Sequence, residues 1–535
     1  MNGFLLTVRA EWTKLRTVRG WVLALVAALV VVVGIGYASA DATRSGGCPG
    51  MKVCGPPKGP GGVAVVDDFT FVQRPLGTDG TLTARITSMT GRIAAPTPDG
   101  TGTPDLEAWA KAGLMVKSGT APGSTYAAVM VTGGHGVRMQ SDFTHDTAGP
   151  EVAAPSSAAP RWLRLTRAGS TLTGATSPDG THWTTVGTAT LPDLPATARV
   201  GLFVTSSAHM EVDRHALGSS ATSAPTRATA AFDRVTLSGG GTGTGTGGSG
   251  GGTGTGTGGS GSGGSSTARA AHGWQTTEVG GDPLSTSLSA ATHRTTANGE
   301  TFSVSGSGDI APAVGGQVFG ARSIERGLGG TFAGLLVVVV VGSSFVTAEY
   351  RRGLIRTTLA AQPRRGQVLA AKAVVVGAAA FAVGLAASVL TLVLTLHRLR
   401  SHEVFILPAS FGTETRVVVG TALLVALAAV LALGAGTILR RATGAVTAVV
   451  AGVVLPYILA MTALPDAAAD WVLRVTPAAA FAIQQTTLRY HQVANVYAPS
   501  DGYYPLPPWA GLAVLCGWTA VVLAVAYALL RGRDT

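Results

Sequence analysis

The sequence predicts an α-helical polytopic membrane protein with six spans and cytoplasmic N- and C-termini, carrying an all-β sandwich inserted between spans one and two. Three observations predict it. Six apolar runs free of charged residues are each about 20 residues or more, enough to cross a hydrocarbon core of about 30 Å. Lys and Arg gather at one set of span ends. The long interval 39–326 switches to short alternating runs broken by turn residues. Composition agrees: with 46% hydrophobic and 13% charged residues, the chain is too apolar for an ordinary soluble protein and too polar to be membrane throughout.

Residues 1–20 read as an interfacial helix. Phe4, Leu5, Val8, Trp12 and Leu15 recur at helical spacing, with Arg9, Lys14 and Arg16 largely on other faces. The first span follows in 21–40, with its apolar run at 21–38. Its end, Ala38-Ser39-Ala40, has the small-x-small form of a signal-peptidase site, but a disposable signal has no need of an amphipathic leader, so the span is expected to be retained. Residues 41–62 form a linker in which Cys48 and Cys54 are expected to pair as a disulfide in an oxidising compartment. Two cysteines with no nearby histidine make a poor zinc set, and no metal site is expected. The remaining runs lie at 327–346, 373–396, 417–439, 445–464 and 509–530, within a five-span core at 327–535, and Pro456 predicts a kink in the fifth.

Orientation follows from the short loops. One side collects Arg9, Lys14, Arg16 and Arg19, then Arg351, Arg352, Arg356, Arg364, Arg365 and Lys372, then Arg440 and Arg441, then Arg531 and Arg533. The other side has Arg398, Arg400 and Arg416 in one loop and Arg474 and Arg489 in the second. The richer side is the cytoplasmic one, which puts the insert outside a cell membrane. The net charge of +11 belongs largely to this asymmetry, and no nucleic-acid partner is expected, because the arginines hug span ends rather than cluster in a soluble module.

The insert, 63–238, contains the alternating runs TLTARITSM, AKAGLMVKS, YAAVMVTGG, GVRMQSDF, RWLRLTRAG, STLTGATS, THWTTVGTATL, ARVGLFVTS and ATAAFDRVTLS. Many short strands at close spacing predict a β-sandwich, with hairpin turns at Ser177-Pro178-Asp179-Gly180 and Gly133-Gly134-His135-Gly136. The order WLRL, a strand, SPDGTHW, VGLFVTS and a closing AFDRVTL resembles the concanavalin A-like jelly rolls of extracellular bacterial proteins. That resemblance implies a sugar-binding role, with Trp162, Trp183 and Arg138 as a glycan-stacking surface; the competing reading packs both tryptophans in or beside the core. No Asp/Asn/Glu cluster has the form of a calcium loop. Residues 239–266 are nearly pure Gly, Thr and Ser, a flexible linker with a mean reach on the order of 30 Å. Beyond it, 267–326 holds a short β-like piece, ETFSVSGSGDIAPA, which resembles the opening strands that the main insert lacks. The segment 286–313 is therefore expected to complete the sandwich across the linker.

The chain has no G-x-x-x-x-G-K-[ST] loop, no nucleophile elbow, no zinc helix motif and no buried carboxylate pair in its spans, so no cofactor and no catalytic site are expected in it. Spans almost free of ionisable residues offer no proton relay. The segments EWTKLRTVRGWVLAL, TAEYRRGLIRTTLAAQPRRGQVLAAK and VLRVTPAAAFAIQQ resemble the membrane subunits of type-2 ABC exporters of actinobacteria. The resemblance implies an export permease of unknown cargo that works as a homodimer or heterodimer of permease subunits. It also implies that loop 347–372 couples to a separate ABC ATPase. The loop's own residues suit that role. Glu349 ends the span, Tyr350, Arg351 and Arg352 follow, and Gly353 relaxes the backbone. Arg356 then lies beside the apolar Leu354, Ile355 and Leu359, and Pro363 interrupts the helix before Arg364 and Arg365. The competing reading is a loop that touches anionic lipid. Thr476-Pro477 predicts a short helix dipping into the outer leaflet, as a gate or a plain lid. A second function class, a membrane-anchored glycan-binding or cell-wall sensor protein, makes the sandwich the working part, but six spans exceed what an anchor needs.

Overall fold

The computed structural model describes residues 2–43, 55–94, 102–215, 218–239, 268–269, 273–280, 290–296, 299–314, 322–351, 353–354, 364–495 and 502–532, with 357, 362 and 497. Six helices in it are long and apolar enough to cross a membrane: Arg19–Asp41, Ile324–Arg351, Arg365–Ser401, Phe411–Leu439, Ala442–Ala460 and Pro508–Gly532. Each apolar run read from the sequence falls on one of them, except that the fifth, read to residue 464, runs past the helix end. The third helix outruns its run at both ends because Lys372 at one end, and Arg398 and Arg400 at the other, are helical residues. The fifth is interrupted where Ala442–Val453 gives way to Leu455–Thr462, beside Pro456, whose ring cannot continue the hydrogen-bond ladder. A separate helix, Asn2–Thr17, precedes the first span.

Span four is the centre of the bundle. In it 72% of the apolar window is buried, against 22% in spans one and six and 17% in span five, so those three turn most of their surface outward. Small residues allow the close approach that bundles in lipid rely on. A Cβ on Gly342 of span two would come within 2.4 Å of the Ala429 carbonyl of span four.

The β region is two antiparallel sheets face to face. The eight-stranded sheet runs Ala268–Arg269, Gln275–Val279, Phe69–Leu76, Ala198–Thr205, Lys111–Lys117, Tyr126–Thr132, Val137–Ser141, His145–Ala148. The seven-stranded sheet runs Thr184–Thr190, Thr171–Ser177, Arg161–Ala168, Asp79–Ile93, Thr226–Ser238, Gly299–Gly306, Ala290–Thr296. Between them lies an apolar layer that includes Leu82, Leu163, Leu172 and Phe232 from one sheet and Leu114, Val129, Val200 and Leu202 from the other. Both turns read from the sequence join adjacent strands: Gly180 has φ +82° and Gly136 φ +66°, values that favour glycine.

Strands from beyond the Gly/Thr/Ser linker are integral to both sheets. Gly299–Gly306 pairs with Thr226–Ser238, and Gln275–Val279 pairs with Phe69–Leu76. A ribbon of Val65–Asp67 and Ile310–Pro312 covers the outer face of the eight-stranded sheet, enclosing a second core of Phe69, Phe71, Tyr126, Phe143 and Phe203. Two fully buried lysines tie this ribbon down. Lys111 donates to Asp309 at 2.7 Å and to the Ile310 carbonyl at 2.8 Å, and Lys117 donates to Asp67 at 2.7 Å and to the Ser124 carbonyl at 2.9 Å. Burial pushes the Asp67 carboxyl up and the Lys117 ammonium down, each partly offset by the other's charge.

The sandwich rests on the end of the bundle opposite Asn2–Thr17. Ala311 and Val314 pack against Val493 and Tyr503 of the connection between spans five and six, and the Gln492 amide donates to the carbonyls of Phe143 and Thr144 at 3.4 Å. A fragment spanning 55–314 is expected to unfold cooperatively in a thermal circular-dichroism melt. One ending at Ser238 leaves Lys111 buried without its carboxylate and is expected to lose that transition; equal melting temperatures would refute the account of the split domain.

Candidate functional site

Where Asn2–Thr17 meets the ends of spans two and three, four charged side chains form one closed cluster. Lys372 donates to Glu11 at 2.8 Å and to Glu349 at 2.6 Å. Lys14 donates to the same two carboxylates, at 2.9 Å and 3.1 Å. The cluster is electrically balanced and largely out of water: Glu11 is 1% exposed, Lys372 2% and Glu349 8%. The Lys372 ammonium also lies 5.1 Å from the centre of the Phe345 ring, which stacks at a tilt against Trp21 of span one.

Local sequence explains the arrangement. Val8, Glu11 and Leu15 follow one another at helical spacing, and this is the face that packs on the bundle. Leu5, Leu6 and Trp12 face away and are exposed. The leader helix thus has two apolar faces, one for the bundle and one turned outward, rather than the single face that the periodicity predicts. Glu349 sits on the last turn of span two and Lys372 on the second turn of span three, so the two flanks of loop 347–372 close on each other through charge. Burial lowers the Lys14 pKa, but hydrogen bonds and charge from Glu11 and Glu349 outweigh it, and the group titrates above its ordinary value.

Other residues of the predicted coupling loop spread over the same end of the bundle. The Tyr350 ring carries the Arg440 guanidinium at 5.3 Å, joining span two to the end of span four. Arg365 donates to the Leu530 carbonyl at the end of span six. Arg364, Arg365, Gln367, Tyr527 and Arg531 line a cavity of about 770 Å³ there. Arg351 and Arg364 are exposed, and Gly353 has φ +67° with open space around its Cα. Arg352, Arg356 and Pro363 lie outside the described residues, as do Cys48 and Cys54. Cys516 is an exposed free thiol. Among the described residues no group of three or more His, Cys, Asp or Glu could hold a metal ion.

The three residues read as a glycan surface do not converge. Trp162 and Trp183 meet at Gly180 on the seven-stranded sheet. There Trp183 donates to the Gly180 carbonyl at 3.0 Å, and arginines cover both rings: Arg164 at 3.7 Å over Trp183, Arg85 and Arg234 at 5.7 Å and 5.8 Å over Trp162. Arg138 belongs to the other sheet, paired with Asp146 and lying over Trp109.

At the sandwich end, Pro477–Gln484 is a 3₁₀ helix with every residue buried among the spans. Phe481 stacks on Phe332 of span two at 4.1 Å, and the Gln484 amide donates to Thr331 and Thr421 at 3.3 Å and 3.1 Å. Sequence reasoning placed a short helix here but missed Glu11 and Lys14 as site residues. The available signal was an i, i+3 Glu–Lys pair beside an otherwise apolar stripe.

Residues 196–535 match the family model for ABC-2 family transporter proteins, well over half of the chain. No curated protein matches. Solved structures that are similar in part include a functionally unknown protein from Saccharomyces cerevisiae (16% identity, 31% of this chain and 72% of that one, TM-score 0.18). A mutant of the GH43 protein BlXynB from Bacillus licheniformis is another (13% identity, 24% of each chain, TM-score 0.17). A third is SCP-B, a member of the Eqolisin family of peptidases (8% identity, 32% and 80%, TM-score 0.19). Scores this low carry no argument about this chain.

The four charges are not equivalent. Lys372→Met leaves Glu349 without its closest cation in a buried site and is expected to cost about 3–5 kcal/mol. Lys14, whose side chain is 41% exposed, is screened by solvent, and Lys14→Met is expected to cost about 1 kcal/mol or less. Thermal unfolding of the purified chain in detergent, followed by intrinsic fluorescence, ranks them; equal losses would contradict the geometry.

Proposed function

We propose that this chain, which belongs to the ABC-2 family of transporter proteins and is a multi-pass membrane permease of an ABC transporter, is an exporting subunit driven by a separate ATPase docked on loop 347–372. The observation that carries this reading is the charge cluster Glu11, Lys14, Glu349 and Lys372. It binds both flanks of the loop to the leader helix. A partner that moves the loop therefore moves spans two and three and the leader helix together, as one lever. A loop that only touched lipid headgroups has no use for such a joint.

The charge asymmetry of the short loops supports a cytoplasmic leader-helix end and an external sandwich. The outward surfaces of spans one, five and six support contact with lipid and with a second permease subunit. Pro477–Gln484, packed on spans two, four and six, is placed to respond when span two moves, which suits a gate on the exit side. The cargo is moved by this lever from the cluster end toward the sandwich end.

In membranes holding the chain and its ATPase, Lys372→Met is expected to reduce permease-stimulated ATP hydrolysis roughly fivefold or more, the size of an ordinary coupling free energy. Arg398→Gln, which removes a surface pair with Asp41 at the opposite end, is expected to leave stimulation intact. Undiminished stimulation in Lys372→Met would sink the coupling claim.

A further inference from the structure

A cavity of about 610 Å³ opens where the base of the sandwich meets the bundle. Its bundle wall is made by the beginnings of spans four and six with segments 407–410 and 485–490, and its sandwich wall includes Pro312 of the covering ribbon and Ala64 just before it. Three polar atoms of lining residues are buried and have no partner among the described residues: Arg416 Nε, Thr487 Oγ1 and Gln485 Oε1. Other atoms of two of these side chains are engaged. Arg416 Nη2 donates to the Gln485 carbonyl, and Gln485 Nε2 donates to the Thr487 carbonyl at 3.0 Å, which fixes the amide with its oxygen left to accept. Thr487 is only 9% exposed. Buried polar atoms in native proteins are met by a partner, so this set calls for one from outside the chain.

We propose that the cavity binds the head group of an anionic amphiphile in which a hydroxyl neighbours a phosphate, as in phosphoglycerol. Arg416 Nε and the Thr487 hydroxyl donate to the phosphate oxygens, and Gln485 Oε1 accepts from the ligand hydroxyl. Among the described lining residues none is acidic. The Glu325 carboxylate, which acts on the Arg416 charge but is not part of the lining, accepts from the Thr486 hydroxyl on its Oε2. Depth fits as well: Arg416 stands on the second turn of its span, the level of a lipid head group. Leu488 of the lining is 65% exposed, and Phe411 and Trp509, next in the chain to the lining residues Ser410 and Pro508, are 83% and 55% exposed, an apolar surface suited to acyl chains. The site needs only the bundle and the sandwich base and does not rest on ATPase coupling.

The test uses the full chain in nanodiscs of phosphatidylcholine with a minor share of phosphatidylglycerol, extracted into detergent and read by native mass spectrometry. The chain is expected to retain one phosphatidylglycerol in preference to phosphatidylcholine. Arg416→Gln is expected to cut that retention about tenfold, as loss of a charged hydrogen bond does, and Thr487→Val several-fold without a change in melting temperature. Displacement by free glycerol 1-phosphate at the same concentration as the lipid assigns a soluble phosphoglycerol as the source; failure to displace assigns the lipid. Equal retention of the two lipids, or unchanged retention in both variants, overturns the proposal and leaves the cavity to water. Should Arg416→Gln not purify, the lipid preference of the unaltered chain and the Thr487→Val variant decide.

Discussion

Two carboxylates and the Lys372 ammonium buried together, with the half-exposed Lys14 closing the cluster, set the terms for one whole end of the bundle. Removing a charge from water is expensive, and the mutual attraction offsets that cost only when every charge keeps its partner at short range. Lys372 meets both carboxylates, at 2.8 Å and 2.6 Å, so neither the leader helix nor span two can leave its place without stranding a buried charge. What such a cluster supplies is fixed geometry more than net stability. It holds the loop's flanks to the leader helix, and the Trp21–Phe345 packing lies beside it, under the Lys372 ammonium.

The same device recurs at the opposite end of the molecule. Lys111 and Lys117, at the two ends of one central strand, reach carboxylates that lie far away in the chain, Asp309 beyond the linker and Asp67 before the first sheet strand. They hold the ribbon that covers the sheet, and that ribbon rests on Val493 and Tyr503. The connection carrying those residues includes helix Asp466–Val475 and then the buried 3₁₀ helix Pro477–Gln484, which stacks on span two. Contacts therefore run unbroken from the charge cluster along span two to the base of the sandwich.

Much of this was legible in the sequence, and the gaps have physical reasons. Apolar runs free of charges mark spans directly, but span ends are set by where the helix stops, and Arg398 and Arg400 continue it past the apolar limit. Period-two alternation located the strands of the insert. It reports which side of a strand is buried and says nothing of which sheet the strand joins, so Arg138 and Trp162 were grouped although they sit on different sheets. Closure across the linker was readable for Gly299–Gly306, whose alternation is clear, but not for Gln275–Val279, a short, largely polar strand placed by pairing with Phe69–Leu76 and by burial of Val279. Glu349 was legible as the end of a span. That it shares Lys372 with Glu11 was not, because no local pattern links residues so far apart in the chain.

The central claim is that charge pairing between the loop's flanks carries the push of the ATPase into the membrane. A charge exchange tests it most directly, with Glu349→Lys, Lys372→Glu and the exchange of all four charges (Glu11→Lys, Lys14→Glu, Glu349→Lys and Lys372→Glu) each reconstituted with the ATPase and assayed for stimulated ATP hydrolysis. Each single reversal places like charges side by side in a buried site and is predicted to abolish stimulation, whereas the fourfold exchange returns every charge to an opposite partner and recovers a substantial part of it. Single reversals that behave like the unaltered chain, or a fourfold exchange no better than the worse single, would contradict the account.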